Sequence, residues 1–286
     1  MRTMSILKPL VFLILIGVAL GFLALPNAVP SSFPITDSRM SEASGLAISH
    51  RHPGIIYTHN DSGNPAEIYA LTTKGELRSL LKLSGVKNRD WEDIATLKGN
   101  KDHPAYIYVG ETGDNNARWE SVFVYRFPEP EKLDKAVEID NTEKYEIRYE
   151  DGPRDAEALF VDPRSLDIYI ITKREKQVGV YRVAYPQSTL KVNPAVKIAT
   201  LPLTWVTAAD ISPDGSQILI KTYTEVYSLK RGKTKDLAKV FRRKLSYRPY
   251  VIEPQGEAVC FDAKGKGRFT LSERNGDNPQ YLYYYK

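Results

Sequence analysis

The sequence predicts an all-β protein, a five-bladed β-propeller, on three observations. First, a short apolar strand headed by an oxygen-bearing side chain returns five times. It reads S-G-L-A-I-S from Ser44, E-D-I-A-T-L from Glu92, E-A-L-F-V-D from Glu157, T-A-A-D-I-S from Thr207 and E-A-V-C-F-D from Glu257. Second, the heads are 48, 65, 50 and 50 residues apart, and a period near fifty holding several strands marks radial repetition. Third, each period repeats one order: head strand, tight turn, second strand, polar loop, tyrosine-bearing third strand. A six-bladed ring is the alternative, but the sequence lacks a sixth set of four strands.

The chain opens with Arg2 and Lys8, followed by an apolar run of 17 residues from Pro9 to Leu25. A basic start and a hydrophobic core of that length fit a signal peptide or an N-terminal membrane anchor. The flank L-P-N-A-V-P-S offers an imperfect cleavage site near Ala28, and no lipobox cysteine follows. Residues 1–30 are therefore set apart, and residues 31–286 form one propeller domain. The expected location is periplasmic or extracellular, with membrane contact only through that segment.

Four head strands run five residues to Ser49, Asp162, Ser212 or Asp262 and then turn. The turns H-R-H-P-G, K-G-N-K-D-H-P, D-P-R-S-L-D, S-P-D-G-S and D-A-K-G-K-G carry the Pro, Gly and Asp that set turn dihedrals. Second strands follow, as in G-I-I-Y-T-H and D-I-Y-I-I-T, rich in β-branched and aromatic residues. Third strands carry Tyr69, Tyr125, Tyr181, Tyr227 and Tyr283 at similar places. Weaker fourth strands are expected at Leu77–Leu83, Tyr145–Tyr149, Val196–Leu201 and Leu237–Phe241. The charged insert between the second and third heads reads as a surface loop with a helical turn. The fifth unit ends after its third strand, so Phe33–Thr36 is expected to supply the fourth and close the ring, which removes exposed edges.

The formal net charge is +5; removing residues 1–30 takes Arg2 and Lys8 with it and leaves +3. That excess, with no basic run or RNA-binding aromatic motif, excludes a nucleic-acid partner. The lone Cys260 cannot form an internal disulfide and reads as a small buried hydrophobe. Of four histidines, His50, His52 and His103 lie in turns on the far face, and only His59 can approach the ring. With no G-x-S-x-G, Walker A or G-x-G-x-x-G pattern, Ser-His-Asp chemistry and histidine-based zinc sites are disfavoured.

In a propeller the innermost strands surround the axis, so equivalent positions at their starts form a ring. Here that ring is Ser44, Glu92, Glu157, Thr207 and Glu257. Three converging carboxylates repel unless neutralised. An all-oxygen donor set suits Ca²⁺, which accepts 6–8 oxygens in loose geometry. The plainer reading is that the acids cap backbone N–H groups or bridge water. Around the ring, second-strand ends and blade starts bring Asp61, Glu111, Asp155, Lys173, Arg174 and Arg274 to a rim of both signs. Lys173, Arg174, Arg274 and Asp61 are candidates for holding a small anionic ligand, and Glu111 or Asp155 for a catalytic base. Trp91 and Trp205 flank ring positions and read as wedges between blades.

The order Ser, Glu, Glu, Thr, Glu, with W-E-D-I-A, Y-I-Y-V-G and Q-G-E-A-V around it, resembles the calcium-activated apyrases. That resemblance covers the blade starts, about a fifth of the chain. It implies a five-bladed propeller with a central calcium, in which Ser44, Glu92, Glu157 and Glu257 match Ser and Glu ligands and Thr207 stands where that family has Ser. Over its whole length the chain looks more like uncharacterised exported bacterial propellers with S-G-L-A, D-W-E-D-I-A, D-A-E-A-L and S-P-D-G signatures. Two functions follow as expectations. One is a monomeric extracytoplasmic propeller with a mainly structural Ca²⁺ and a rim that binds a small anionic ligand or a protein partner. The other is a Ca²⁺-dependent hydrolase of phosphoester, phosphoanhydride or lactone substrates.

Overall fold

The computed structural model describes residues 29–286, so all but the last two residues of the expected signal or anchor segment lie outside the described residues. Within them the chain is all-β. After β1 (Ser31–Ile35), the first unit is β2 (Ala43–Ile48), β3 (Ile55–Asn60), β4 (Glu67–Thr72) and β5 (Leu77–Leu83). The second is β6 (Asp93–Leu97), β7 (Tyr106–Glu111), β8 (Val122–Pro128) and, after β9 (Ala136–Ile139), β10 (Glu143–Tyr149). The third is β11 (Ala156–Val161), β12 (Ile168–Thr172), β13 (Val178–Val183) and β14 (Asn193–Leu201). The fourth is β15 (Val206–Ile211), β16 (Gln217–Thr222), β17 (Val226–Lys230), then α1 (Leu237–Phe241) and β18 (Ser246–Arg248). The fifth is β19 (Gly256–Phe261), β20 (Arg268–Ser272) and β21 (Gln280–Tyr285), whose outer edge pairs antiparallel with β1, Ser31 facing Tyr284.

Each unit is an antiparallel meander, and the second and third merge into one sheet where β10 meets β14 in parallel. The head strands touch in sequence, β2 to β6, β6 to β11, β11 to β15 and β15 to β19, and β19 returns to β2. Strands packed on both faces need apolar residues throughout. Accordingly β2, β11 and β19 are buried along their whole length. Five apolar cores fill the junctions between successive units, for example Phe160, Ile171 and Val180 against Ile218, Ile220 and Phe241.

Two expectations are corrected. Leu237–Phe241 is helix, not a fourth strand. Asp236 caps it by accepting the Ala238 N–H at 2.9 Å, and Leu237, Val240 and Phe241 bury one side, the spacing of a helical face. Its unit ends instead on the three-residue β18. The charged insert forms β9, which extends the first sheet by parallel pairing with β5 and contains no helical turn.

The residues at which head strands end act as turn anchors. Asp262 accepts the N–H groups of Lys264, Lys266 and Gly267 at 2.9–3.0 Å. Ser49 instead donates to the buried Glu129, which also accepts the His50 and Arg51 N–H groups.

Candidate metal centre

At Glu157, Thr207 and Glu257 local backbone geometry turns the head side chain out of the ladder. On β11, Ala156 pairs with Thr172 and Ala158 with Ile171, so Glu157 is an unpaired bulge residue. Thr207 and Glu257 occupy the same bulge on β15 and β19, and β2 breaks register after Ser44. A bulge adds one residue and re-aims a side chain, which is how strand starts build sites.

Five acidic residues meet there in two overlapping groups. Glu92, Asp155 and Glu157 place one oxygen each within 4.8 Å of one another, and Asp61, Asp90 and Glu92 do the same. Glu92 and Glu157 are each 4% exposed. Burial first, then neighbouring carboxylates, pushes the Glu92 carboxyl well above the usual range. Burial raises Glu157 likewise, against the pull of Lys173. The buried Lys173 ammonium donates to Glu157 Oε1, while Glu157 Oε2 has no partner. Burial alone would lower the Lys173 ammonium; Glu157 and Glu257 together raise it. Burial, with Asp61 and Asp155, lifts Asp90 to about 6. Such a cluster suits a hard cation, because carboxylates without donors are costly in a buried site.

The other expected residues are distributed around this centre. Glu257 is buried, and its charge helps to raise the Glu157 carboxyl. Ser44 Oγ donates to the Glu92 carbonyl at 2.5 Å, and Thr207 Oγ1 to the Gly256 carbonyl at 3.4 Å, so both hydroxyl protons stitch neighbouring strands. Asp155, expected on the rim, belongs to the inner group. Its oxygens accept the Asp114 N–H at 3.0 Å and the Arg174 guanidinium. Arg174 stacks against the half-exposed Trp205, 5.2 Å from the ring centroid, and Trp205 is held at φ 57° with its N–H on the Lys173 carbonyl. Trp91, by contrast, is fully buried against His59 and Tyr125.

Two residues are not brought to the centre. Glu111 pairs with Arg89 at 3.6 Å and accepts the Arg89 N–H and the Tyr125 hydroxyl, in a groove of about 530 Å³ beside Lys87 and Lys144. In register it matches Asn60, Thr172, Thr222 and Ser272, one place short of Asp61 and Lys173, and one place in a strand is the opposite face. Arg274 donates to the Asp37 carbonyl at 3.0 Å, tying the fifth unit to the segment before β2.

Asp93 was missed by sequence reasoning. It is fully buried; Oδ1 accepts the Ile94 N–H at 2.9 Å, and Oδ2 accepts those of Leu159 at 2.9 Å and Ala209 at 3.2 Å. One side chain thus pins three head strands together. The signal was available: the residues following the heads are Gly45, Asp93, Ala158, Ala208 and Ala258, one acid among four small residues. Gly45 has φ +68°, and a Cβ there would lie 3.0 Å from Asp93 Oδ1.

No family model and no curated protein matches the chain. Among solved structures it is similar to a functionally unknown protein from Desulfotomaculum acetoxidans, at 12% identity and a TM-score of 0.42 over 80% of this chain. The chain spans 65% of that protein's length.

Proposed function

We propose that this chain is an exported, monomeric five-bladed β-propeller that binds Ca²⁺ where its head strands begin. The ion mainly rivets blades together, and the charged rim around it takes a small anionic ligand. The observation that carries the reading is the free Glu157 Oε2, buried beside Glu92 and Asp155 with all three residues' oxygens within 4.8 Å. Support for the blade count is the closed cycle of five head strands and five apolar junctions. Arg174 and Lys173 beside the acidic group supply the positive part of the rim. Export rests on the apolar run from Pro9 to Leu25. A rivet is favoured over a hydrolase because Glu111 lies away from the cluster and Asp155 is already engaged by Arg174 and a backbone N–H.

The test is thermal unfolding of chelator-stripped protein with and without Ca²⁺. At a hundred times Kd a bound ion stabilises by about 2.7 kcal/mol, which is several degrees for a domain of this size. Glu157→Gln should remove most of that shift. A melting temperature indifferent to millimolar Ca²⁺ would refute the rivet. Ca²⁺-dependent turnover of nucleotides, phosphoesters or lactones would move the assignment to the hydrolase.

A further inference from the structure

Glu92 belongs to both acidic groups, and their charges are matched very differently. In the inner group Glu157 faces Lys173, and Asp155 faces Arg174. In the outer group Asp61, Asp90 and Glu92 have no basic side chain within 4.0 Å among the described residues. Glu92 is 4% exposed as a residue, and no described residue donates a hydrogen bond to its carboxylate. A charge in such a place is relieved by a proton or by a counter-ion, and a cation shared with Asp61 and Asp90 relieves three carboxylates at once. Gly113 lies directly against Glu92 Oε1 and the Asp90 carboxylate, leaving no room for a side chain that would separate them.

We propose that the centre is dinuclear, with Glu92 bridging two divalent cations: an inner one on Glu92, Asp155 and Glu157, and an outer one on Asp61, Asp90 and Glu92. This rests on the Ca²⁺ reading above and extends it. Five carboxylates make up the two groups, and the two basic side chains that pair with them, Lys173 and Arg174, both belong to the inner group. The two positions also differ in access. The inner residues are buried, whereas Asp61 and Asp90 are half-buried, so the outer ion meets solvent. Three carboxylates fill only part of a Ca²⁺ shell. The remaining positions of the outer ion are where a phosphate or carboxylate oxygen of the rim ligand would coordinate, and the inner ion is the rivet.

The experiment is calorimetric titration of the chelator-stripped full chain with Ca²⁺ alone. The wild type should bind two ions per chain, Asp90→Asn one, and Glu92→Gln neither at the same affinity. Asp61→Asn should repeat the result of Asp90→Asn and replaces it if that variant fails to fold. One ion in the wild type, with the count unchanged in Asp90→Asn, overturns the outer ion and leaves the rivet standing. Two ions unaffected by Asp90→Asn and Asp61→Asn also overturn it, since the second then sits elsewhere. No bound ion overturns both readings.

Discussion

Asp93→Ala tests whether the head strands are held together by one acid. In the folded protein its carboxylate accepts three buried backbone N–H groups, from β6, β11 and β15, at 2.9, 2.9 and 3.2 Å. Alanine leaves all three without an acceptor, at about 1–3 kcal/mol for each buried donor. Two effects reduce the sum. The 3.2 Å bond is the longest, and removing the acid also relieves the burial that pushes its carboxyl well above the usual range. The net expectation is about 3–5 kcal/mol, a large share of the 5–15 kcal/mol that typically holds a domain folded. Asp93→Asn keeps a carbonyl oxygen for Leu159 and Ala209 and loses the local bond to Ile94, so it should cost about 1–2 kcal/mol. Urea unfolding read from the midpoint at constant slope gives both values. If alanine costs less than about 1 kcal/mol, or asparagine costs as much as alanine, the anchoring argument is wrong.

Arg231 is fully buried with its Nη1 2.6 Å from Asp162 Oδ1, so Arg231→Ala strands a buried carboxylate and should cost about 3–5 kcal/mol. Adding Asp162→Asn should recover part of that, and a single-variant cost under 1 kcal/mol in calorimetry would contradict it. Burial lifts Glu253 to about 7, with Lys221, Thr270 and Tyr250 pulling it back. The folded state therefore holds this proton more tightly than the unfolded chain, whose value is near 4.5. Its contribution is complete below pH 4.5 and is lost as pH rises through 7, by at most about 3 kcal/mol. Glu253→Gln should flatten stability against pH across that window, and an unchanged slope would show that other groups set it.

The in-phase recurrence of the heads drew attention to Glu92 and Glu157, which lie together with Asp155, while Asp61 lies with Asp90 on the other side of Glu92 and the Ser44 and Thr207 hydroxyls donate to neighbouring carbonyls. What failed did so for local reasons. Leu237–Phe241 has too few residues for an apolar pattern to separate strand from helix, and the deciding feature is the Asp236 cap. Glu111 was aligned one residue out of phase: its counterpart in register is Thr172, the residue before Lys173. The bulges that aim Glu157 and Glu257 are pairing facts with no residue signature of their own. Asp93 was passed over because an acid inside an apolar strand reads as part of the W-E-D-I-A text, whereas its meaning comes from N–H groups on strands far along the chain.

The β1–β21 ladder sets an order on folding. Its two partners are the first and last strands of the described residues, so β1 stays without its partner until β21 has been made. Until then β19 is also missing from beside β2, and both flanks of an incomplete assembly present unsatisfied strand edges. Joining distant ends is entropically slow. The tyrosine-rich β21 is the strand that covers β1, and until the two meet that edge stands open.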